Sequence, residues 1–167
     1  MARRRGDQDC YSESAVREVV LRRLSHAPRT RGELSQDLSR RGVPSELVDS
    51  VLDGIEDAGL IDDAQFARLW VESRHRGRGL GRSVLRRELL HRGVEPDFIE
   101  DALGHIDSDA EMSRARELAE RRLRALQGCD SVTQRRRLIA YLTRRGYPGS
   151  MSSAVVAEVL GSVDRAM

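Results

Sequence analysis

The 167-residue sequence contains no lysine, few aromatic residues and only two cysteines. Aromatic residues make up 4% of the chain and charged residues 34%, so leucine, valine, isoleucine and alanine must fill the core. Aliphatic residues that are interspersed with many charged residues are typical of amphipathic helices. The composition therefore predicts an all-α fold.

The scarcity of cysteine and histidine argues against a metal site or a disulfide scaffold. Cys10 and Cys129 form no CxxC pair, and the four histidines show no HExxH spacing. No apolar run approaches the ~18 residues of a membrane span, and the first residues lack the apolar stretch of a signal peptide. We therefore expect a cytoplasmic protein with free thiols, no cofactor and no membrane association.

Because lysine is absent, all 29 cationic side chains are arginine, although the formal net charge is only +2. Arginine recognises phosphate and carboxylate groups with two parallel hydrogen bonds. GC-rich coding would also produce an all-arginine chain. Local clusters of charge are therefore more informative than the total.

One phrase recurs three times at intervals of about fifty residues: LSRRGVP at 38–44, LLHRGVEP at 89–96 and LTRRGYP at 142–148. Leucines stand four and eight positions before each glycine, the spacing of a buried helical face. The glycine suits a helix C-cap, and the proline after it prevents the helix from continuing. Apolar positions after the glycine predict a second helix, and another amphipathic helix precedes each pair.

Three tandem three-helix repeats, about nine helices in all, are therefore predicted at 12–60, 61–106 and 107–167, after a flexible basic tail at 1–11. Each repeat has little core of its own, so the repeats should stack into a curved, elongated array. Capping boxes are predicted at four helix starts, formed by Thr30 with Glu33, Asp62 with Gln65, Ser108 with Glu111, and Ser131 with Gln134.

No motif in the chain indicates catalysis. The carboxylate pairs Asp62–Asp63 and Asp107–Asp109 lie where helices begin and are interpreted as caps. The glycine-rich run at 77–82 follows no strand and contains no GK[ST], so it is interpreted as a flexible connector rather than a phosphate loop. The protein is therefore not expected to be an enzyme.

Charge is strongly segregated in the second repeat. Residues 74–92 contain seven arginines and one acid, whereas residues 93–113 contain seven acids and no arginine. Like-charged neighbours one turn apart cost an isolated helix ~0.2 to 0.5 kcal/mol per pair. Either the acidic helix folds back and pairs with the basic one, or the arginines are solvated, or they bind a polyanion or an acidic protein surface.

A second basic cluster occupies the corresponding helix of the third repeat. A row of basic faces along an array would suit a long, repetitive anionic ligand such as a nucleoprotein filament. The candidate binding residues are Arg74, Arg76, Arg78, Arg82, Arg86, Arg87, Arg92, Arg135, Arg136, Arg137, Arg144 and Arg145.

Three phrases resemble the RecX family of recombinase modulators: GLIDDAQFARLWVESR at 59–74, VLRRELLHRGV at 84–94 and QRRRLIAYLTRRGY at 134–147. The resemblance covers about 12–160, and its most specific phrase is the first. It implies tandem three-helix repeats and a monomer that binds the RecA filament along its groove and inhibits ATP hydrolysis and strand exchange. It also implies weak binding to single- and double-stranded DNA.

Two other interpretations remain open. Residues 30–61 also resemble the helical core of a winged-helix DNA-binding regulator. A winged helix should continue with a β-hairpin, whereas the residues after 61 have helical period. The third possibility is a structural adaptor whose charges are solvated.

Overall fold

The computed structural model describes residues 11–166, with side chains described up to residue 162. The predicted basic tail and Cys10 lie outside the described residues, except for Tyr11. The Tyr11 hydroxyl donates to the carbonyl of Arg41, and its ring packs against the first core.

Across residues 11–166 the chain forms nine α-helices and no strand, which confirms the all-α prediction. The helices are α1 (Glu13–His26), α2 (Arg31–Arg40), α3 (Ser45–Asp57), α4 (Asp63–Arg78), α5 (Arg82–His91), α6 (Pro96–Gly104), α7 (Ser108–Arg124), α8 (Ser131–Arg144) and α9 (Gly149–Ala166).

The repeated glycine ends a helix in the same way each time. Gly42, Gly93 and Gly146 have φ values of +83°, +75° and +98°. The amide of the residue after each glycine donates to the carbonyl of the leucine four positions before that glycine, at 3.1 to 3.2 Å. These are Schellman C-caps, for which glycine has no Cβ penalty.

Two of the predicted helix starts are confirmed. The Thr30 hydroxyl accepts from the amide of Glu33 at 3.1 Å, and the Glu33 carboxylate accepts from the amide of Thr30 at 3.3 Å, which completes a capping box. The Asp62 carboxylate accepts from the amide of Gln65 at 2.8 Å. Asp63 is nevertheless buried, and its carboxylate accepts from the amide of Arg31 at the start of α2.

The capping boxes predicted at the other two starts were placed one residue too late, although the interpretation of Asp107 as a cap is confirmed. Asp107, not Ser108, caps α7, and Asp130, not Ser131, caps α8. An aspartate in the cap position accepts an amide hydrogen bond and also places negative charge at the positive end of the helix dipole. The bond from the amide of Thr133 accordingly lowers the pKa of Asp130.

The chain divides after Phe66 into two compact units. In the first unit, α1 and α2 both pack on α3. Its core consists of Val16, Val20, Leu34, Leu38, Val43, Val48, Val51, Leu52, Ile55 and Ile61. The predicted repeat boundaries and the curvature of the array stay predictions.

In the second unit α5 packs on α6, and α7, α8 and α9 pack on one another. The aliphatic positions of the repeated phrase are buried, including Leu85, Leu89, Leu138 and Leu142. Phe98 was expected on the apolar face of its helix but is 38% exposed. It lies in the first turn of α6.

Candidate anion-binding site

Arg82 is ion-paired within the second unit, although 33% of its side chain is exposed. Its Nε donates to the Glu111 carboxylate at 2.9 Å and its Nη2 donates to the carbonyl of Ile106 at 2.6 Å. The Glu111 side chain is only 3% exposed. The prediction that Glu111 completes a capping box with Ser108 is therefore wrong, because this carboxylate holds α5 against α7.

Arg86 is neutralised by the acidic helix that follows it. Its Nε and Nη2 donate to the two oxygens of Glu100, both at 2.7 Å. These bonds raise the pKa of Arg86 and lower the pKa of Glu100. Arg68 of α4 donates to Asp101 in a similar way. The alternative in which the acidic helix folds back and pairs with the basic helix is confirmed for Arg86.

Arg74 and Arg92 both stack on the indole ring of Trp70. Their guanidinium carbons lie 4.1 and 4.0 Å from the ring centroid, and the indole N–H donates to Glu88 at 2.9 Å. A guanidinium cation in this position is attracted electrostatically to the face of the aromatic ring. Trp70 therefore organises the two arginines at the ends of the basic segment.

The remaining exposed candidates differ in how they are paired. Arg76 is 78% exposed and pairs with Glu72 at 2.7 Å, and Arg137 contacts the Cys129 sulfur at 3.4 Å. Five candidate side chains have no hydrogen-bond or ion-pair partner among the described residues, namely Arg78, Arg87, Arg135, Arg136 and Arg144.

The connector between α4 and α5 is docked on the turn between α8 and α9. The Gly81 amide donates to the carbonyl of Arg145 at 2.7 Å, and the amide and hydroxyl of Ser83 donate to the carbonyl of Gly146 at 3.3 and 3.0 Å. A Cβ at Gly81 would lie 2.6 Å from the Gly146 carbonyl oxygen. Glycine is required there by the close approach of two backbones, and the prediction of a flexible connector is wrong.

The buried side chain of Tyr147 also contacts the connector, and we call this contact between the connector and the α8–α9 turn the joint. Tyr147 is 2% exposed, and its hydroxyl donates to the carbonyl of Gly79 at 3.1 Å. Burial, together with the nearby charge of Glu111, raises the pKa of Tyr147 to about 12. The phenol is therefore neutral and remains a hydrogen-bond donor.

The docked connector forms one wall of an open cleft of about 670 Å³ whose other walls are α7 and α8. Five arginines and no acidic residue line it. The lining residues are Gly77, Arg78, Leu80, Arg114, Leu118, Arg121, Tyr141, Arg144 and Arg145. The fold thus brings Arg78 of one predicted cluster beside Arg144 and Arg145 of the other.

Backbone carbonyls and an aromatic ring help to hold two of these arginines in place. The guanidinium carbon of Arg145 lies 4.9 Å from the centroid of the Tyr141 ring, and its Nη1 donates to the carbonyl of Arg78. Arg114 donates to the carbonyl of Arg76 at 2.9 Å and pairs with Glu117 at 2.7 Å. Neither the stacking nor the carbonyl bonds neutralise charge.

Sequence reasoning missed the two arginines that α7 contributes. Arg114, Leu118 and Arg121 follow an i, i+4, i+7 spacing and so share one helical face. That spacing could have indicated a basic face on α7. It gave no indication that the face lies opposite α8, since that depends on the packing of three helices.

Among the side chains that the structure describes, no group of histidine, cysteine, aspartate and glutamate could hold a metal ion. None of the helices within residues 11–166 is both long enough and apolar enough to cross a membrane. The candidate site is therefore the cleft lined by arginines and by an apolar wall.

Sequence models of the RecX family match three parts of the chain in order. The first three-helix domain of RecX matches residues 10–53, the second matches 62–103 and the third matches 109–156. Together these matches cover most of the sequence.

Similar full-length proteins and solved structures agree with these matches. The chain is 44% identical to the regulatory protein RecX of Streptomyces coelicolor over 145 residues, which cover 87% of this chain and 77% of that protein. It is 42% identical to the regulatory protein RecX of Thermobifida fusca over 153 residues, with 92% and 82% covered. The crystal structure of RecX from Lactobacillus salivarius superposes with a TM-score of 0.82 at 20% identity, over 88% of this chain and 96% of that one, and so shows the same fold. The chain belongs to the RecX family of regulatory proteins.

Proposed function

We propose that this chain is a non-catalytic regulator that binds a RecA–DNA nucleoprotein filament and inhibits its ATPase and strand-exchange activities. The proposal extends to weak binding of single- and double-stranded DNA and to action as a cytoplasmic monomer. The observation that carries it is the arginine-lined cleft of the second unit. Membership of a family of regulatory proteins supports it.

The charge distribution of the cleft suits a repetitive anionic partner. Walls that carry charge of one sign focus the electric field and raise the local concentration of oppositely charged ligands. Arginine binds phosphate through paired hydrogen bonds, and each neutralised phosphate releases counterions. Binding driven in this way is independent of base sequence, as binding to a filament along any DNA must be.

The alternative is a winged-helix transcriptional regulator. Residues 30–61 resemble its helical core, but α4 occupies Asp63–Arg78, where the β-hairpin of the wing would have to follow. A helix at this point favours the filament regulator. Selective binding to one operator sequence over a scrambled duplex of the same length would support the alternative instead.

The DNA-stimulated ATPase of the cognate RecA tests the proposal. We expect the rate to fall progressively as the protein is added, and strand exchange to fall in parallel. The titration should be repeated with a large excess of DNA, because simple sequestration of DNA would be relieved by the excess whereas filament binding would not. An unchanged ATPase rate at saturating protein would contradict the proposal.

A further inference from the structure

We propose that the arginine-lined cleft is a nucleotide-binding site, in which phosphate groups contact the guanidinium groups and a nucleobase lies against the apolar wall. This inference rests on the proposed function, because it names the chemical group that the same surface contacts. The nucleotide could belong to a DNA strand or be a free nucleoside triphosphate, and the two share this chemistry.

The charge of the cleft is largely uncompensated within the described residues. Of its five arginines, only Arg114 has a carboxylate partner, Glu117. The side chains of Arg121 and Arg144 are exposed and lack any described hydrogen-bond or ion-pair partner. Guanidinium groups gathered in one cleft repel one another, so an anion that enters relieves this repulsion as well as making its own contacts.

Two neighbouring arginines of α5 are compensated by carboxylates, unlike most of those in the cleft. Arg82 and Arg86, one turn apart on α5, each have a carboxylate at 2.7 to 2.9 Å. The cleft collects five arginines from three separate segments, and among them only Arg114 has such a carboxylate, Glu117. What distinguishes the cleft from a solvated helical face is that arginines without a carboxylate partner converge on it from separate segments.

The cleft is also preorganised to donate hydrogen bonds. Arg145 is oriented from two sides, by the Tyr141 ring and by the carbonyl of Arg78. The Nε–H of Arg114 is buried and has no acceptor among the described residues. Buried donors are normally satisfied, so an unsatisfied one at the lining points to a missing acceptor.

Apolar side chains in the lining distinguish a nucleotide from a simple acidic peptide. Leu80 and Tyr141 are half-buried and Leu118 is buried, and all three line the cleft. The volume of about 670 Å³ lies within the ~300 to 1,000 Å³ of small-molecule sites. A nucleotide has phosphates for the arginines and a base for the apolar wall. An acidic peptide has carboxylates for the arginines but no group that needs the apolar wall.

Binding of a short fluorescent oligothymidylate to the full chain, without RecA, tests the site. In the variant Arg121→Ala/Arg144→Ala we expect about tenfold weaker binding, and a slope of log K against log salt that is smaller by about 1.4, since each lost single-strand phosphate contact removes ~0.7. Neither side chain has a described partner, so the fold should be retained, as circular dichroism would verify.

The matched control is Arg22→Ala/Arg124→Ala, which removes the same charge from exposed positions that do not line the cleft. Its affinity should change less than twofold. Equal losses in both double variants would overturn the proposal, because they would show that only net charge matters.

Fluorescent ATP and a labelled polyglutamate peptide identify the ligand chemistry. Binding of oligothymidylate that depends on Arg121 and Arg144 assigns the site to a DNA strand, and ATP binding with the same dependence, without oligothymidylate binding, assigns it to a free nucleotide. Either result supports the proposal. Cleft-dependent binding of polyglutamate, with neither nucleotide bound, overturns it.

The ATPase assay separates this inference from the proposed function. If Arg121→Ala/Arg144→Ala inhibits RecA as well as the wild-type protein does, the cleft is not the contact site, although the proposed function stands. If the wild-type protein does not inhibit RecA, the proposed function fails whatever the oligonucleotide result.

Discussion

At the scale of single residues, Arg82 and Arg87 of the same helix have different surroundings. Arg82 is paired with the buried Glu111, whereas Arg87 is exposed without a described partner. Sequence alone treats them as members of one basic cluster. A combined alanine substitution at Arg82, Arg86 and Arg87 would therefore change stability as well as binding.

We expect Arg82→Ala to lower the free energy of unfolding by about 3 kcal/mol, because it leaves the Glu111 carboxylate buried and unpaired. Replacing both partners, as in Arg82→Met/Glu111→Leu, should recover most of the loss. Urea denaturation followed by circular dichroism measures both. The control Arg87→Ala should stay within ~0.5 kcal/mol of wild type. Equal stabilities of Arg82→Ala and Arg87→Ala would show that the ion pair contributes little.

At the scale of elements, the α4–α5 connector and the α8–α9 turn each require a glycine because their backbones approach each other closely. Gly81 has φ of −84°, which any residue adopts, so its backbone conformation does not require glycine. The requirement comes from the Gly146 carbonyl, which approaches to within 2.6 Å of where a Cβ would stand. The connector is thus held by a turn more than sixty residues later in the chain.

Gly81→Ala should therefore lower the free energy of unfolding by ~1 to 3 kcal/mol, the usual cost of overpacking. The comparison is Gly77→Ala within α4, where a Cβ would meet nothing within 4 Å. That substitution should stabilise the chain by up to ~1 kcal/mol through helix propensity. Urea denaturation distinguishes the two, and a stable Gly81→Ala variant would mean that the two backbones are not docked in solution.

At the scale of the whole molecule, the absence of lysine makes alkaline titration informative. Lysine ordinarily titrates near pH 10.4, so its absence removes the side chains whose titration would overlap with that of Tyr147 between about pH 10 and 12. The chain has three tyrosines, of which Tyr147 is buried at the joint that forms the cleft. The part of the pH dependence of stability that Tyr147→Phe removes therefore reports on the second unit.

Because burial raises the folded-state pKa of Tyr147 from 10.0 to about 12, the fold favours the neutral phenol. Its contribution is complete below about pH 10 and is lost as the pH rises towards 12. We expect the denaturation midpoint of the wild-type protein to fall over this interval. The Tyr147→Phe variant should be less stable at neutral pH, through loss of the bond to Gly79, and should show a smaller fall. If the denaturation midpoints of the wild-type protein and the Tyr147→Phe variant fell equally with pH, the phenol of Tyr147 would not be buried at the joint.

The distribution of charge over the folded chain differs from its distribution along the sequence. The sequence places its most marked reversal of charge across Gly93, and this was the strongest indication of a binding helix. In the folded chain part of that reversal is internal pairing, of Arg86 with Glu100 and of Arg82 with Glu111. The concentration of unneutralised arginine lies instead where the end of α4, α7 and α8 meet.

The sequence by itself determined the helices, the repeated glycine caps and the aliphatic core, because helical period and glycine geometry are local properties. It also carried the family resemblance. Only the tertiary structure decided which arginines are neutralised and which gather in a cleft. Arg82 meets Glu111 29 positions away, and Arg78 meets Arg145 67 positions away. Electrostatic compensation depends on distance in space, which the spacing of residues along a helix does not specify between helices.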